Sequence, residues 1–158
     1  MVPRPGPVSL LPASAATVPG CGGRMTGGEI RVVCGALVRD GRVLAVRRGP
    51  GGAAAFCWEL PGGKVEAGED DRVALARELG EELHLDVAVG AYLEENVHLY
   101  PGVRVHLVAY ACRDREAAVG PQLTEHTALR WLGRDDLHSV EWAPADVPLL
   151  DAVAILLR

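Results

Sequence analysis

The alternation of apolar and polar residues along the chain predicts two β-hairpins and one further strand. Five runs rich in β-branched and apolar residues are predicted strands: residues 29–38, 42–48, 86–99, 103–113 and 128–132. Arg39-Asp40-Gly41 separates the first two runs and Pro101-Gly102 separates the next two, and both are turn sequences. We therefore expect two antiparallel hairpins, with the second pair at the centre of the sheet.

Two segments have helical periodicity instead. Residues 70–83 carry apolar side chains at intervals of three and four, which predicts an amphipathic helix with Asp70 as a suitable N-cap. These apolar positions are Val73, Ala76, Leu79 and Leu83. A second helix is expected at residues 149–157, where Pro148 suits the first turn. Because each helix has one apolar stripe, the predicted architecture is an α/β/α sandwich with the helices on opposite sides of a mixed sheet.

The first helix also carries three acidic residues on one face. Glu78, Glu81 and Glu82 fall within an arc of roughly 100°, because spacings of three and four share a face. Such crowding destabilises a helix by a few tenths of a kcal/mol, and a cation held between the carboxylates would compensate for it. Mg²⁺ fits best, since it prefers oxygen ligands and sits between carboxylates and phosphates. The alternative is an acidic face that is merely solvated.

Composition and charge narrow the class of protein. The chain has 158 residues and a net charge of −5, so we expect one domain, residues 29–158, and no nucleic-acid polymer as partner. Residues 1–28 are rich in Pro, Gly, Ala and Ser and are expected to be a disordered extension without a signal peptide. No run is apolar enough for a membrane span. The four cysteines form no Cys-x-x-Cys pair, which favours reduced thiols and a cytoplasmic location.

A longer motif surrounds the three glutamates. Its members are Gly63, Glu69, Arg77, Glu78, Leu79, Glu81 and Glu82. This motif resembles the signature of the Nudix hydrolases and departs from it at His84, where the family pattern has a glycine that ends the helix. Histidine adopts the left-handed conformation less easily than glycine, so the departure concerns the local turn and not the metal ligands.

The resemblance implies roles for residues in and around the motif. The implied metal ligands are the Gly62 carbonyl and the carboxylates of Glu78, Glu81 and Glu82. Glu69 is implied to pin the loop to the helix. Arg77 lies four residues before Glu81 and is expected to orient a carboxylate and not to touch substrate. Either Glu78 or Glu125 would serve as the general base.

Two further residues are candidate substrate contacts. Arg48 resembles the phosphate-contacting arginine of MutT-type members, and the alternative is a solvated arginine at a strand end. Asp146 stands just before Val147-Pro148 in a tail that resembles MutT-like nucleotide hydrolases. Asp146 would either accept hydrogen bonds from a base that bears an amine or cap the final helix.

The reaction implied by the resemblance is hydrolysis of a (deoxy)nucleoside triphosphate to the monophosphate and pyrophosphate, with Mg²⁺ or possible Mn²⁺ as cofactor. The favoured substrate is 8-oxo-dGTP, which would make the protein a nucleotide-pool sanitation enzyme that supports DNA repair. The alternatives are (d)CTP, a modified pyrimidine nucleotide or another diphosphate-linked substrate. A non-catalytic Nudix-fold binding module is a further alternative, but such modules generally lose glutamates that this chain keeps. We expect a monomer or homodimer.

Overall fold

The structure is a computed structural model, and it describes residues 28–116 and 118–158. The predicted disorder of residues 1–28 lies outside the described residues, apart from Gly28, and stays a prediction. The described chain forms seven strands, two α-helices and two 3₁₀ turns. The strands are β1 (Glu29–Arg39), β2 (Arg42–Arg47), β3 (Trp58–Glu59), β4 (Gly62–Lys64), β5 (Val87–Tyr100), β6 (Val103–Asp114) and β7 (Ala128–Leu132). The helices are α1 (Asp71–Leu83) and α2 (Leu150–Ala154), and the 3₁₀ turns are Arg134–Asp136 and Val147–Leu149.

The strands form a mixed sheet whose main path runs β3-β2-β1-β6-β5. Strand β1 pairs parallel with β6 and antiparallel with β2 and β4, while β7 pairs with β2. Both predicted hairpins are confirmed. The expected central position is wrong for β5, which ends the path. The reason is that residues 32–37 of β1 are all buried and suit an interior strand, whereas β5 is largely exposed and suits an edge.

The two helices lie on opposite faces of this sheet, which confirms the predicted α/β/α sandwich. On one face α1 packs Leu75 against Val33 of β1, and on the other face Val153 of α2 belongs to the same cluster as Val32. Gly35 of β1 allows α1 a close approach, because a Cβ there would lie 3.4 Å from the side chains of both Leu75 and Leu79 of α1. Within the described residues, none of the helices has both the length and the apolarity that a membrane crossing requires.

Helix α1 has the N-cap that the sequence predicts, but the set of its residues that is buried in the core differs from the predicted apolar stripe. Oδ1 of Asp70 accepts hydrogen bonds from the backbone N–H groups of Arg72 and Val73, at 2.8 and 3.3 Å. The prediction that Val73 belongs to the core stripe is wrong, since 59% of this residue is exposed. At 100° per residue Val73 is turned about 200° from Leu75, which is buried. The buried positions of α1 are Ala74, Leu75, Leu79, Glu82 and Leu83.

The departure from the motif at His84 leaves the end of α1 intact. His84 adopts the left-handed conformation with φ of 57°. Its backbone N–H donates to the carbonyl of Gly80 at 3.1 Å, and the N–H of Leu85 donates to that of Leu79 at 3.3 Å. The histidine therefore makes the turn that glycine makes more easily, and the strain is confined to one residue.

The final helix is shorter than predicted. Instead of one helix over residues 149–157, the chain forms the 3₁₀ turn Val147–Leu149 followed by α2, Leu150–Ala154. The backbone beyond α2 tightens, because Leu157 N–H donates to the carbonyl three residues earlier, that of Ala154, at 3.1 Å. The tightened turn leaves Leu157 only 4% exposed. A tighter turn that buries Leu157 thus takes the place of the last turn of the predicted α-helix.

Candidate active site

The site is built around the glycine pair of β4. Gly62 and Gly63 lie in a short strand paired with Val33 and Cys34 of β1. A Cβ on Gly62 would collide with the backbone carbonyl of Val33, and a Cβ on Gly63 would collide with the carboxylate of Glu78. Both positions therefore require glycine, and the second brings the backbone of β4 into direct contact with the acidic face of α1.

The three glutamates of α1 differ sharply in exposure. The Glu81 side chain is 61% exposed, that of Glu78 is 15% exposed, and Glu82 is buried with Oε1 lacking a hydrogen-bond partner. Burial raises the pKa of Glu78. Burial, reinforced by the charges of neighbouring glutamates, raises the pKa of Glu82 to about 9. A buried carboxyl group with an unpaired oxygen is costly, so this cluster has the character of a binding site and not of a solvated surface.

Arg77 joins the glycine strand, the loop after it and the acidic face. Its Nε and Nη2 atoms donate to both oxygens of Glu69, at 2.8 and 2.9 Å, and Nη2 also donates to the carbonyl of Lys64 at 3.2 Å. Nη1 lies 3.3 Å from oxygens of both Glu78 and Glu81. This pairing lowers the pKa of Glu69 to about 2. Arg77 thus contacts the carboxylates of Glu78 and Glu81 and joins Glu69 of the loop to α1, while the roles implied for both residues stay predictions.

Glu125 approaches the same cluster from the loop before β7. Two bonds attach this loop to the end of α1: Gln122 N–H donates to the Leu83 carbonyl at 2.9 Å, and the Thr124 hydroxyl donates to the Glu82 carbonyl at 3.0 Å. Glu125 is exposed, and its charge contributes to the raised pKa of both Glu78 and Glu82. The structure therefore brings Glu125 near Glu78 and Glu82, while its role as general base stays a prediction.

Behind these glutamates lies a buried ionic cluster that the sequence analysis missed. Glu59 is fully buried, with Nη1 of Arg48 at 3.2 Å from Oε1 and Nε2 of His126 at 3.0 Å from Oε2. Arg48 is 7% exposed, so the alternative of a solvated strand end is wrong, while its predicted contact with phosphate stays a prediction. A signal was available, because Glu59 is a charged residue within the apolar run before Pro61.

Asp146 is buried beside this ionic cluster. It is 0% exposed, and Oδ2 accepts a hydrogen bond from the backbone N–H of Leu60 at 2.9 Å. Its side chain caps neither the 3₁₀ turn nor α2, so the capping alternative is wrong. Oδ1 is buried without a hydrogen-bond partner, and burial raises the pKa of Asp146 well above its usual range. Burial therefore favours the protonated form of this carboxyl group, while its predicted contact with a nucleobase stays a prediction.

The donor set fits a hard divalent cation. Within residues 28–116 and 118–158, no three side chains of the Asp, Glu, His or Cys type are already drawn together as a closed metal cage. The unpaired Oε1 of Glu82 and the raised pKa values of Glu78 and Glu82 nevertheless indicate carboxyl groups that a nearby positive charge would stabilise in their ionised form. Oxygen donors of this kind suit Mg²⁺ or a similar ion.

The fold and the carboxylate site together define a class of hydrolase. Residues 29–153 match the NUDIX domain model, and the chain belongs to the Nudix hydrolase family. Members of this family generally use divalent metal ions and act on nucleotide substrates. The departure at His84 is thus compatible with membership.

Relatives and solved structures agree with this assignment. A CTP pyrophosphohydrolase of Escherichia coli (strain K12) is 39% identical over 127 residues, which cover 80% of this chain and 93% of the relative. A putative 8-oxo-dGTP diphosphatase 2 of Mycobacterium tuberculosis is 43% identical over 123 residues, which cover 73% of this chain and 81% of the relative. The solution structure of the E. coli ORF135 protein is 36% identical, has a TM-score of 0.70 and covers 82% of this chain and 91% of that one.

Proposed function

We propose that this Nudix hydrolase converts a (deoxy)nucleoside triphosphate to the monophosphate and pyrophosphate in the presence of Mg²⁺, with 8-oxo-dGTP as preferred substrate. The observation that carries the proposal is the buried, unpaired Oε1 of Glu82 within a group of four glutamates. A relative that is 43% identical bears the name of an 8-oxo-dGTP diphosphatase, which supports this choice of substrate. The cytoplasmic location stays a prediction, supported by the free thiols of Cys34, Cys57 and Cys112.

The metal ligands in this proposal are the carboxylates of Glu78, Glu81 and Glu82 and the carbonyl of Gly62. When bound, Mg²⁺ supplies charge neutralisation at the phosphate oxygens and a more acidic water. Arg77 holds Glu78 and Glu81 in place through its bonds at 3.3 Å. Glu125 is the preferred proton acceptor, because Glu78 already contacts Arg77 and lies against Gly63 whereas Glu125 is exposed beside the cluster.

Asp146 is the proposed contact for the nucleobase. As a neutral acid it offers one O–H donor and one acceptor oxygen, whereas an ionised carboxylate only accepts. The raised pKa of Asp146 and its unpaired Oδ1 support the neutral form. Oδ2 already accepts from Leu60 N–H, so the protonated Oδ1 would donate its hydrogen bond to a carbonyl acceptor on the edge of an oxidised guanine. Arg48, which pairs with Glu59 in the ionic cluster, is the proposed phosphate contact.

The second candidate substrate is (d)CTP, which a relative named CTP pyrophosphohydrolase supports. Cytosine also pairs a donor with an acceptor along its edge, so Asp146 alone does not separate the two bases. A panel of nucleoside triphosphates assayed for pyrophosphate with Mg²⁺ tests both. We expect the highest kcat/KM for 8-oxo-dGTP. A higher value for dCTP would move the assignment to the second candidate, and hydrolysis of nucleotide sugars or dinucleoside polyphosphates alone would overturn both.

A further inference from the structure

The loop of residues 122–127, called here the Glu125 loop, is tied down on both sides of Glu125. Three of its residues donate hydrogen bonds to backbone carbonyls of α1 and β2. These bonds run from Gln122 N–H to Leu83 O at 2.9 Å, from Thr124 Oγ1 to Glu82 O at 3.0 Å, and from Thr127 N–H to Arg47 O at 3.0 Å. Connecting segments without regular structure are usually the mobile parts of a fold, so these bonds restrict a loop that would otherwise move.

A buried pair of side chains also restrains the Glu125 loop. Nε2 of His126 lies 3.0 Å from Oε2 of Glu59, and the two side chains are 1% and 0% exposed. The other oxygen of Glu59 is 3.2 Å from Nη1 of Arg48. Glu59 is therefore a fully buried anchor, and His126, the residue next to Glu125 in sequence, connects the Glu125 loop to it.

We propose that His126 is a positioning residue, which through Glu59 holds Glu125 against the carboxylates of Glu78 and Glu82. This inference rests on the proposed function, in which Glu125 accepts the proton. His126 itself touches neither substrate nor metal in this account. Its contribution is orientation, and a displacement of a reacting group by about 1 Å costs on the order of 100-fold in rate.

A purely space-filling His126 and a positioning His126 predict different values of kcat for the variants His126→Phe and His126→Gln. His126→Phe keeps an aromatic ring in the buried position but removes the bond to Glu59, whereas His126→Gln keeps a nitrogen donor of similar reach. We expect kcat for 8-oxo-dGTP to fall about 10- to 100-fold in His126→Phe, with KM changed by less than about threefold, because orientation of Glu125 matters in the transition state. His126→Gln should recover most of the lost kcat. Equal rates in the wild type and His126→Phe would overturn the inference.

Two threonines of the Glu125 loop provide a matched pair of variants in case His126→Phe folds poorly. The Thr124 hydroxyl ties the loop to α1 at 3.0 Å, while the Thr127 hydroxyl makes only a longer contact of 3.4 Å with the Arg47 carbonyl. Thr124→Val should lower kcat about 3- to 10-fold with KM unchanged, and Thr127→Val should stay within about twofold of wild type. An equal loss in both variants, or a rise in KM alone, would contradict a positioning role.

Hydrogen exchange separates this inference from the proposed function. The amide protons of Gln122 and Thr127 are bonded to carbonyls in the structure, so their exchange reports the order of the Glu125 loop without any substrate. We expect faster exchange at both amides in His126→Phe and wild-type protection in His126→Gln. If exchange at these amides accelerates in His126→Phe but the wild type hydrolyses no nucleotide, the proposed function fails. The restraint of the Glu125 loop by His126 is then still supported. If the wild type is active and neither exchange nor kcat responds, the inference fails alone.

Discussion

Replacement of Glu82 by glutamine should raise the stability of the metal-free protein and lower its turnover with Mg²⁺. Glu82 is buried and carries a pKa of about 9, raised from 4.5 by burial and by the surrounding glutamates. Between pH 4.5 and about pH 9 the Glu82 carboxyl group is ionised in the unfolded chain and protonated in the folded chain. Folded stability therefore decreases as the pH rises from about 4.5 to about 9, at up to about 1.4 kcal/mol per pH unit.

The magnitude follows from the distance between pH 7 and the unfolded pKa. That distance is 2.5 pH units, which corresponds to a penalty of at most about 3 kcal/mol in metal-free protein. Relaxation and water penetration reduce such penalties, so we expect Glu82→Gln to stabilise the metal-free protein by about 1–3 kcal/mol at pH 7. A protein of this size shifts its Tm by about 2–4 °C per kcal/mol, so Tm should rise by about 2–12 °C.

The assay is thermal unfolding in excess chelator at pH 5, 7 and 9, with Glu81→Gln as matched control. Glu81 is the neighbouring residue on α1 and its side chain is 61% exposed, so its replacement should change Tm by less than about 2 °C at every pH. The gain in Glu82→Gln should be small at pH 5 and larger at pH 7. In the same variant, turnover with Mg²⁺ should fall by orders of magnitude. A lower Tm at pH 7, or a gain that does not depend on pH, would contradict the destabilising effect assigned to Glu82.

Three other substitutions test separate parts of the structure. His84→Gly should raise stability by about 0.5–1 kcal/mol in chemical denaturation, because glycine removes the cost of the left-handed conformation; a loss of stability would contradict this. Gly63→Ala should reduce kcat at least about 100-fold, since its Cβ meets the Glu78 carboxylate, whereas Gly120→Ala, with open space around it, should be neutral in both kcat and Tm. Asp146→Asn should retain the bond from Leu60 N–H and keep Tm at or above wild type while changing the order of preference across the nucleotide panel; an unchanged order would leave Asp146 a structural residue.

The elements with a strong local signal could be predicted from sequence. The two hairpins, the helix with its cap at Asp70 and the acidic face all follow from periodicity and turn residues, and the structure has each of them. Strand order is different, because it depends on which strands can be buried on both faces. β1 takes the interior position through its parallel pairing with β6, and no local pattern in either strand specifies that partner.

The site was predictable where residues are close in sequence and unpredictable where distant segments meet. Glu78, Glu81 and Glu82 share a face by helical geometry alone, and the contact of Arg77 with Glu81 follows from a spacing of four. The pair of Glu59 and His126 joins residues 67 positions apart, so only the folded sheet brings them together. The burial of Asp146 likewise depends on the distant segment between β3 and β4, which supplies the Leu60 N–H.

We propose that the carboxylate group of α1 serves a metal-dependent cleavage of nucleoside triphosphates. The most direct measurement is the release of products from 8-oxo-dGTP by wild type, by Glu82→Gln and by wild type in excess chelator. We expect equal amounts of 8-oxo-dGMP and pyrophosphate from the wild type with Mg²⁺, and neither product above background in the other two reactions. Undiminished release in chelator, turnover of Glu82→Gln within tenfold of wild type, or release of orthophosphate in place of pyrophosphate would contradict the account.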